Sequence, residues 1–144
     1  MKIVVSACLL GEPCRYDGKS QPCGKVIELA KRHTLIPICP ECAGGLPTPR
    51  IPCEKQSDGR VLAKDGTDRT DAYALGAELS LLRARANGCT LAILKSRSPS
   101  CGVGQIYDGS FTRTLTDGDG VPADLFLKNG ITVYTEENFE EAGL

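Results

Sequence analysis

Tryptophan is absent from this chain, histidine occurs once, and four Tyr and three Phe are the whole aromatic complement of 144 residues. So few rings leave no stacking platform for single-stranded nucleic acid. A basic excess is missing too: 17 Lys and Arg stand against 18 Asp and Glu, a net charge of −1. That excludes a globally basic nucleic-acid binder but not a local cationic site. No run approaches the roughly 18 apolar residues of a membrane span. The opening "MKIVVSACLLG" contains a lipoprotein-like "VVSAC", yet its apolar stretch falls short of the roughly 7–15 residues of a secretory signal. The chain therefore reads as cytoplasmic.

Cysteine is what the sequence has in excess, with eight residues. In a reducing compartment surplus thiols point to metal, cluster or catalysis rather than to disulfides. "CPEC" (39–42) is a C-x-x-C pair, but no second pair and no second histidine complete a zinc finger. Ligation by Cys42 and simple burial of a small apolar side chain are equally compatible with this pair.

Apolar, β-branched stretches predict strands over 2–7, 34–39, 89–95 and 131–135. Helices are expected over 24–33, 66–88 and 119–130, and the acidic tail can add a final turn. In the second helix Ala72, Leu75, Leu79, Leu82 and Ala86 follow a 3–4 spacing and define the expected buried face. Residues 43–65 and 102–118 fall outside this alternation, with strand pairing expected around 60–64 and a hairpin excursion in the second. The expected fold is one α/β domain spanning 1–144, a mostly parallel sheet between helices in a Rossmann-like three-layer arrangement.

In such a sheet the carboxyl ends of the strands share one edge, where ligands bind. Cys8 ends the first strand, Cys39 ends the second, and Cys101 lies in the loop leaving the third, so three distant thiols are expected to converge. Cys14 follows Cys8 in the same loop. "GEPCRYDG", "GGLPTPR" and "SRSPSCGVG" each bring glycine and a cation, placing Arg15, Arg50, Lys95 and Arg97 around one crevice suited to an anion. Glu41, two residues past Cys39, is a candidate proton carrier. Ser98 stands three residues before Cys101 in a turn held by Pro99, with Ser100 beside it on the anion-binding side. Cys23 and Cys89 read as structural, His33 as a helix-end cation, and Cys53 stays unassigned.

"SACLLGEPCRYDG", "CPECAGGLPTPR", "LKSRSPSCG", "IYDGSF" and "GDGV", in this order, resemble the thiouracil desulfidase family, small bacterial and archaeal proteins long classed as a domain of unknown function. The similarity covers nearly the whole chain. It implies a [4Fe-4S] cluster held by three cysteines with one open iron, and non-redox, hydrolase-type removal of sulfur from thiouracil or 4-thiouridine 5′-monophosphate, giving hydrogen sulfide and uracil or UMP. By the same resemblance Cys8, Cys39 and Cys101 would be the ligands, with Cys14 as an additional candidate, and Glu41 and Ser98 would handle protons. Relatives often carry an aliphatic residue where this chain has Cys42, which favours an incidental role for that thiol. The implied partners are a small thiolated base or nucleotide, as in nucleotide salvage, and the cluster-assembly machinery; intact tRNA and membranes are not expected. Two other classes suit the same residues: a zinc-stabilised binding module, and an iron–sulfur carrier of electrons or clusters without desulfidase activity.

Overall fold

A computed structural model describes every residue from Met1 to Leu144. In chain order the strands are β1 (Lys2–Ser6), β2 (Thr34–Ile38), β3 (Cys53–Lys55), β4 (Val61–Ala63), β5 (Leu91–Leu94), β6 (Gln105–Tyr107), β7 (Leu115–Asp117) and β8 (Thr132–Thr135). The helices are α1 (Gly24–Ile27), α2 (Pro40–Ala43), α3 (Thr70–Ala86) and α4 (Val121–Lys128). Short 3-10 turns follow β1, extend α1 over Glu28–Lys31, and close the chain over Phe139–Ala142.

Four strands form one sheet in the order β2-β1-β5-β8, and every neighbouring pair is parallel. The chain lays β2 on one side of β1 and then returns to place β5 and β8 on the other. Strand order thus reverses between β1 and β5, the place where open α/β sheets leave a crevice at their carboxyl edge. Alternate residues serve opposite layers, as a strand period of two requires. Val4, Ala92 and Leu94 pack beneath Leu81 and Ala84 of α3 and Phe126 of α4. Ile3, Val5 and Ile93 face the other layer, made by Val26, Leu29 and Phe139. The expected three-layer α/β fold is therefore the observed one. The irregular segments carry two antiparallel hairpins, β3–β4 and β6–β7, outside the main sheet. No helix is long and apolar enough to cross a membrane.

The expected buried face of α3 needs correction. Leu75, Leu79 and Leu82 are exposed, and the helix turns Tyr73, Gly76, Ala77, Ser80, Leu81 and Ala84 inward. Close backbone approach decides this. A Cβ on Gly76 would lie 2.0 Å from the carbonyl oxygen of Pro40 in α2, so small residues must occupy the contact and the leucines are turned outward.

Candidate functional site

Cys8 lies in the turn directly after β1, Cys39 is the first residue after β2, and Cys101 sits in the loop leaving β5. All three line one cleft of about 590 Å³ at the carboxyl edge of the sheet, together with Cys14 and Cys53. Cys42 is exposed and bonded to Thr48 Oγ1 at 3.4 Å, while Cys23 and Cys89 pack with the two core layers. All eight thiols are free.

Burial pushes the Cys8 thiol up to about 11; the Lys95 charge opposes that shift, while Cys39 and Glu41 add to it. Hydrogen bonding with Cys14 raises Cys39 further, helped by burial and by Glu41. Cys101 is raised by burial and then by Glu41. At neutral pH these thiols keep their protons unless a strongly positive centre displaces them, as a bound metal does.

Glu41 is the anionic hub of the cleft. Cys39 caps α2 in an extended conformation, Pro40 opens the helical turn, and Glu41 follows within it. Its carboxylate is buried. Oε2 accepts a weak hydrogen bond from Cys39 Sγ at 3.6 Å and lies 3.5 Å from Arg50 Nη2. Oε1 accepts a short hydrogen bond from Ser100 Oγ. Arg50 also donates to the Cys14 carbonyl at 3.0 Å and to Thr48 Oγ1 at 3.1 Å, which fixes it against the carboxylate.

The serines divide their work. Ser98 Oγ accepts the backbone N–H groups of Ser100 at 3.2 Å and Cys101 at 3.1 Å, holding the loop in its turn. Ser98 Oγ and Ser100 Oγ stand 2.9 Å apart. Since the single Ser100 proton goes to Glu41, Ser98 is the donor in that pair. A relay Ser98–Ser100–Glu41 results, with Ser100 Oγ also 3.6 Å from Cys101 Sγ. "GDGV" supports the loop from behind: a Cβ on Gly120 would lie 2.3 Å from the Ser100 carbonyl oxygen.

The expected cations all border the cleft, and three of the four are paired with carboxylates. Lys95 Nζ is 3.0 Å from Glu136 Oε1, and Ser96 Oγ bonds both groups. Burial opposes ionisation of Glu136, yet hydrogen bonds from Ser96 and Lys95 outweigh it and hold the carboxyl below its ordinary range. Arg97, in a left-handed conformation with φ 63°, pairs with Glu137 at 3.0 Å. Arg50 is committed to Glu41. Arg15 alone of the four has no carboxylate partner; its Nη1 donates to Gln21 Oε1 at 2.7 Å.

The two hairpins close the outer wall, which sequence reasoning left without a role. Tyr107, Phe111 and Arg113 line the cleft from the β6–β7 hairpin. Phe111 (φ 59°) and Arg113 (φ 60°) are both left-handed, a conformation that costs a non-glycine residue about 1–3 kcal/mol. Glu54 of β3 holds the turn: its Oε1 accepts the N–H groups of Gly109 at 2.9 Å and Phe111 at 3.2 Å. The signal available in the sequence was the motif "IYDGSF", which names the hairpin without its direction.

Donor chemistry bears on what the cleft can hold. A single zinc ion requires four donors converging on one point, and no group of three Cys, His, Asp or Glu side chains does so. Thiols standing apart around one space instead suit a cluster, in which separate irons each take their own thiolate. Lys95 beside Cys8 and Arg50 beside Glu41 would temper the negative charge of such a group.

A family model described as 2-thiouracil desulfurase matches residues 3–138. The chain is 34% identical over 148 residues to the uncharacterized protein YbbK of Bacillus subtilis (strain 168), covering 96% of this chain and 98% of that protein. Among solved structures it matches a [4Fe-4S]-dependent thiouracil desulfidase, TudS, with a TM-score of 0.92 and 43% identity, over 99% of this chain and 95% of the other.

Proposed function

The chain belongs to the 2-thiouracil desulfurase family, and from that premise we propose that it hydrolyses the C–S bond of thiolated uracil compounds, thiouracil and 4-thiouridine 5′-monophosphate among them. The net reaction exchanges a thiocarbonyl sulfur for a water oxygen and releases hydrogen sulfide, so no electrons enter or leave. The supporting observation is the buried Glu41 carboxylate, in contact with Cys39 on one side and with Ser100, beside Cys101, on the other.

Cys8, Cys39 and Cys101 would hold three of the four irons of a [4Fe-4S] cluster, which supplies a Lewis-acidic iron for the substrate's sulfur when bound. Glu41 takes a proton from the attacking water and returns it to the departing sulfur, while Ser100, itself held by Ser98, donates to Oε1 and keeps the carboxylate oriented. Arg50 holds the carboxylate in place between the thiols. Cys14, whose carbonyl accepts a hydrogen bond from Arg50, shapes the wall and is left outside the ligand set. All 144 residues form one iron–sulfur domain in this reading. It acts in a reducing cytoplasm, receives its cluster from the assembly machinery, and returns thiolated bases and nucleotides to salvage rather than acting on intact tRNA.

Anaerobic purification followed by sulfide release from 4-thiouridine monophosphate tests the proposal. Four iron and four sulfide per chain with sulfide production are expected. Stoichiometric zinc, or a full cluster with no sulfide produced from either substrate, would overturn it in favour of a zinc-stabilised module or a cluster carrier.

A further inference from the structure

The chemistry of the cleft floor reads a thiocarbonyl but says nothing of the rest of the substrate. Charge pairing narrows where an anionic part can be held. Lys95, Arg97 and Arg50 are each within 3.5 Å of a carboxylate, so an incoming anion would have to compete with a resident one. Arg15, Lys64 and Arg113 are the remaining cations on the cleft wall, and none of them forms an ion pair. Two of the three have a fixed setting. Arg15 stacks over the Tyr16 ring at 5.8 Å from its centroid, with its Nη1 on Gln21. Arg113 stands in the β6–β7 turn, whose shape is imposed from outside the turn.

That imposition is the second observation. Phe111 and Arg113 both occupy the left-handed region, which a phenylalanine adopts only when its surroundings dictate it. The surroundings are the Glu54 carboxylate on two backbone N–H groups, and Gln56 Nε2 on the Gly109 carbonyl at 3.2 Å. Hydroxyls of Ser110, Thr112 and Thr114 form a chain with spacings of 2.5 and 2.8 Å, and Asp108 Oδ1 accepts from Ser110 Oγ at 2.5 Å. The polar residues of the turn thus bond one another, while Tyr107, Phe111 and Arg113 are left to the cleft. An aromatic side chain and unpaired guanidinium groups on the wall of one cleft match a pyrimidine carrying a phosphate.

We infer that the β6–β7 hairpin is the substrate-reading element: Phe111 packs on the pyrimidine ring, and Arg113 with Arg15 binds the 5′-phosphate of a nucleotide substrate. This rests on the desulfidase reading for the identity of both the base and its nucleotide, and adds which residues read them. It transfers the anion-binding role from Lys95 and Arg97, whose charges are already matched, to two arginines without carboxylate partners.

The test is equilibrium dialysis of UMP, uridine, CMP and inorganic phosphate against the anaerobically purified, cluster-loaded protein. Arg113→Gln is expected to weaken UMP binding roughly 10–100-fold, the loss of one charge-assisted contact, and to leave the uridine affinity within about twofold, with an unchanged melting temperature. Phe111→Leu is expected to weaken UMP and uridine together. UMP binding by Arg113→Gln equal to that of the wild type would overturn the phosphate assignment. Inorganic phosphate competing as well as UMP, or CMP binding unaffected by Phe111→Leu, would overturn the base assignment. Binding of a product requires no turnover. Failure of sulfide release with intact UMP discrimination would therefore refute the desulfidase reading alone, and normal sulfide release with lost discrimination in the wild type would refute the hairpin alone.

Discussion

Lys95 and Glu136 meet side by side because β5 and β8 run parallel in register: Leu94 pairs with Thr135, and the next residue of each strand supplies one half of an ion pair at 3.0 Å. Ser96 completes the contact, giving its N–H to Glu136 Oε2 at 2.9 Å and its hydroxyl to Oε1 at 2.6 Å. This arrangement steadies the start of the loop that carries Cys101 and keeps a positive charge near Cys8.

Glu136→Gln should therefore destabilise more than an ordinary surface change. Removing one partner of a buried pair strands the other charge. Because the two side chains keep 16% and 15% exposure, the expected loss is discounted to about 1–3 kcal/mol in urea unfolding. The pH dependence follows from the lowered carboxyl. Its folded value lies below the ordinary 4.5, so the stabilisation is present above about pH 4.5 and disappears as pH falls through the folded value. Glu136→Gln should flatten that acid limb; an unchanged urea midpoint across the acid range would contradict it.

Much of this site was legible in the sequence, and the rest depended on pairings that no local pattern carries. Strand order and polarity bring Cys8, Cys39 and Cys101 to one cleft. Lys95 looked like a free anion contact because Glu136 is 41 positions away and becomes its neighbour only through the β5–β8 register. The face of α3 was misread for a related reason: a leucine spacing of 3–4 describes an apolar stripe, but the contact with α2 requires small residues where the backbones touch. The backbone at Phe111 is held by Glu54, which belongs to another hairpin.

The reversed face of α3 is open to a direct check. Leu82→Gln should alter stability by no more than about 0.5 kcal/mol, as exposed positions do. Leu81→Ala, on the packed face, should cost about 2–5 kcal/mol. The opposite ranking in chemical denaturation would restore the leucine stripe as the buried one.

Iron content separates ligands from bystanders among the cleft thiols. Cys8→Ser, Cys39→Ser and Cys101→Ser should each purify anaerobically with a depleted or unstable cluster. Cys14→Ser should retain iron and sulfide at the level of the parent protein. Loss of iron in the Cys14 variant, with retention in one of the other three, would redraw the ligand set.

Glu41→Gln preserves shape and removes the charge. Turnover should fall about 10²–10⁴-fold, the range for a positioned acid–base group, while iron and sulfide per chain stay constant. Full activity in this variant would remove Glu41 from proton handling and leave it a purely structural partner of Arg50.

Ser98 and Ser100 sit two residues apart, yet their substitutions should separate. Ser98→Ala leaves the N–H groups of Ser100 and Cys101 without their acceptor, so the turn that presents Cys101 loosens. The expected signature is faster iron loss on exposure to chelator, accompanied by lower stability of about 1–3 kcal/mol for the unsatisfied groups. Ser100→Ala keeps that turn and removes the donor to Glu41 Oε1. Iron should then stay bound while kcat falls, since the carboxylate has lost the hydroxyl that orients it. Iron retention and kcat at the level of the parent protein in both variants would show that the relay has no role in turnover.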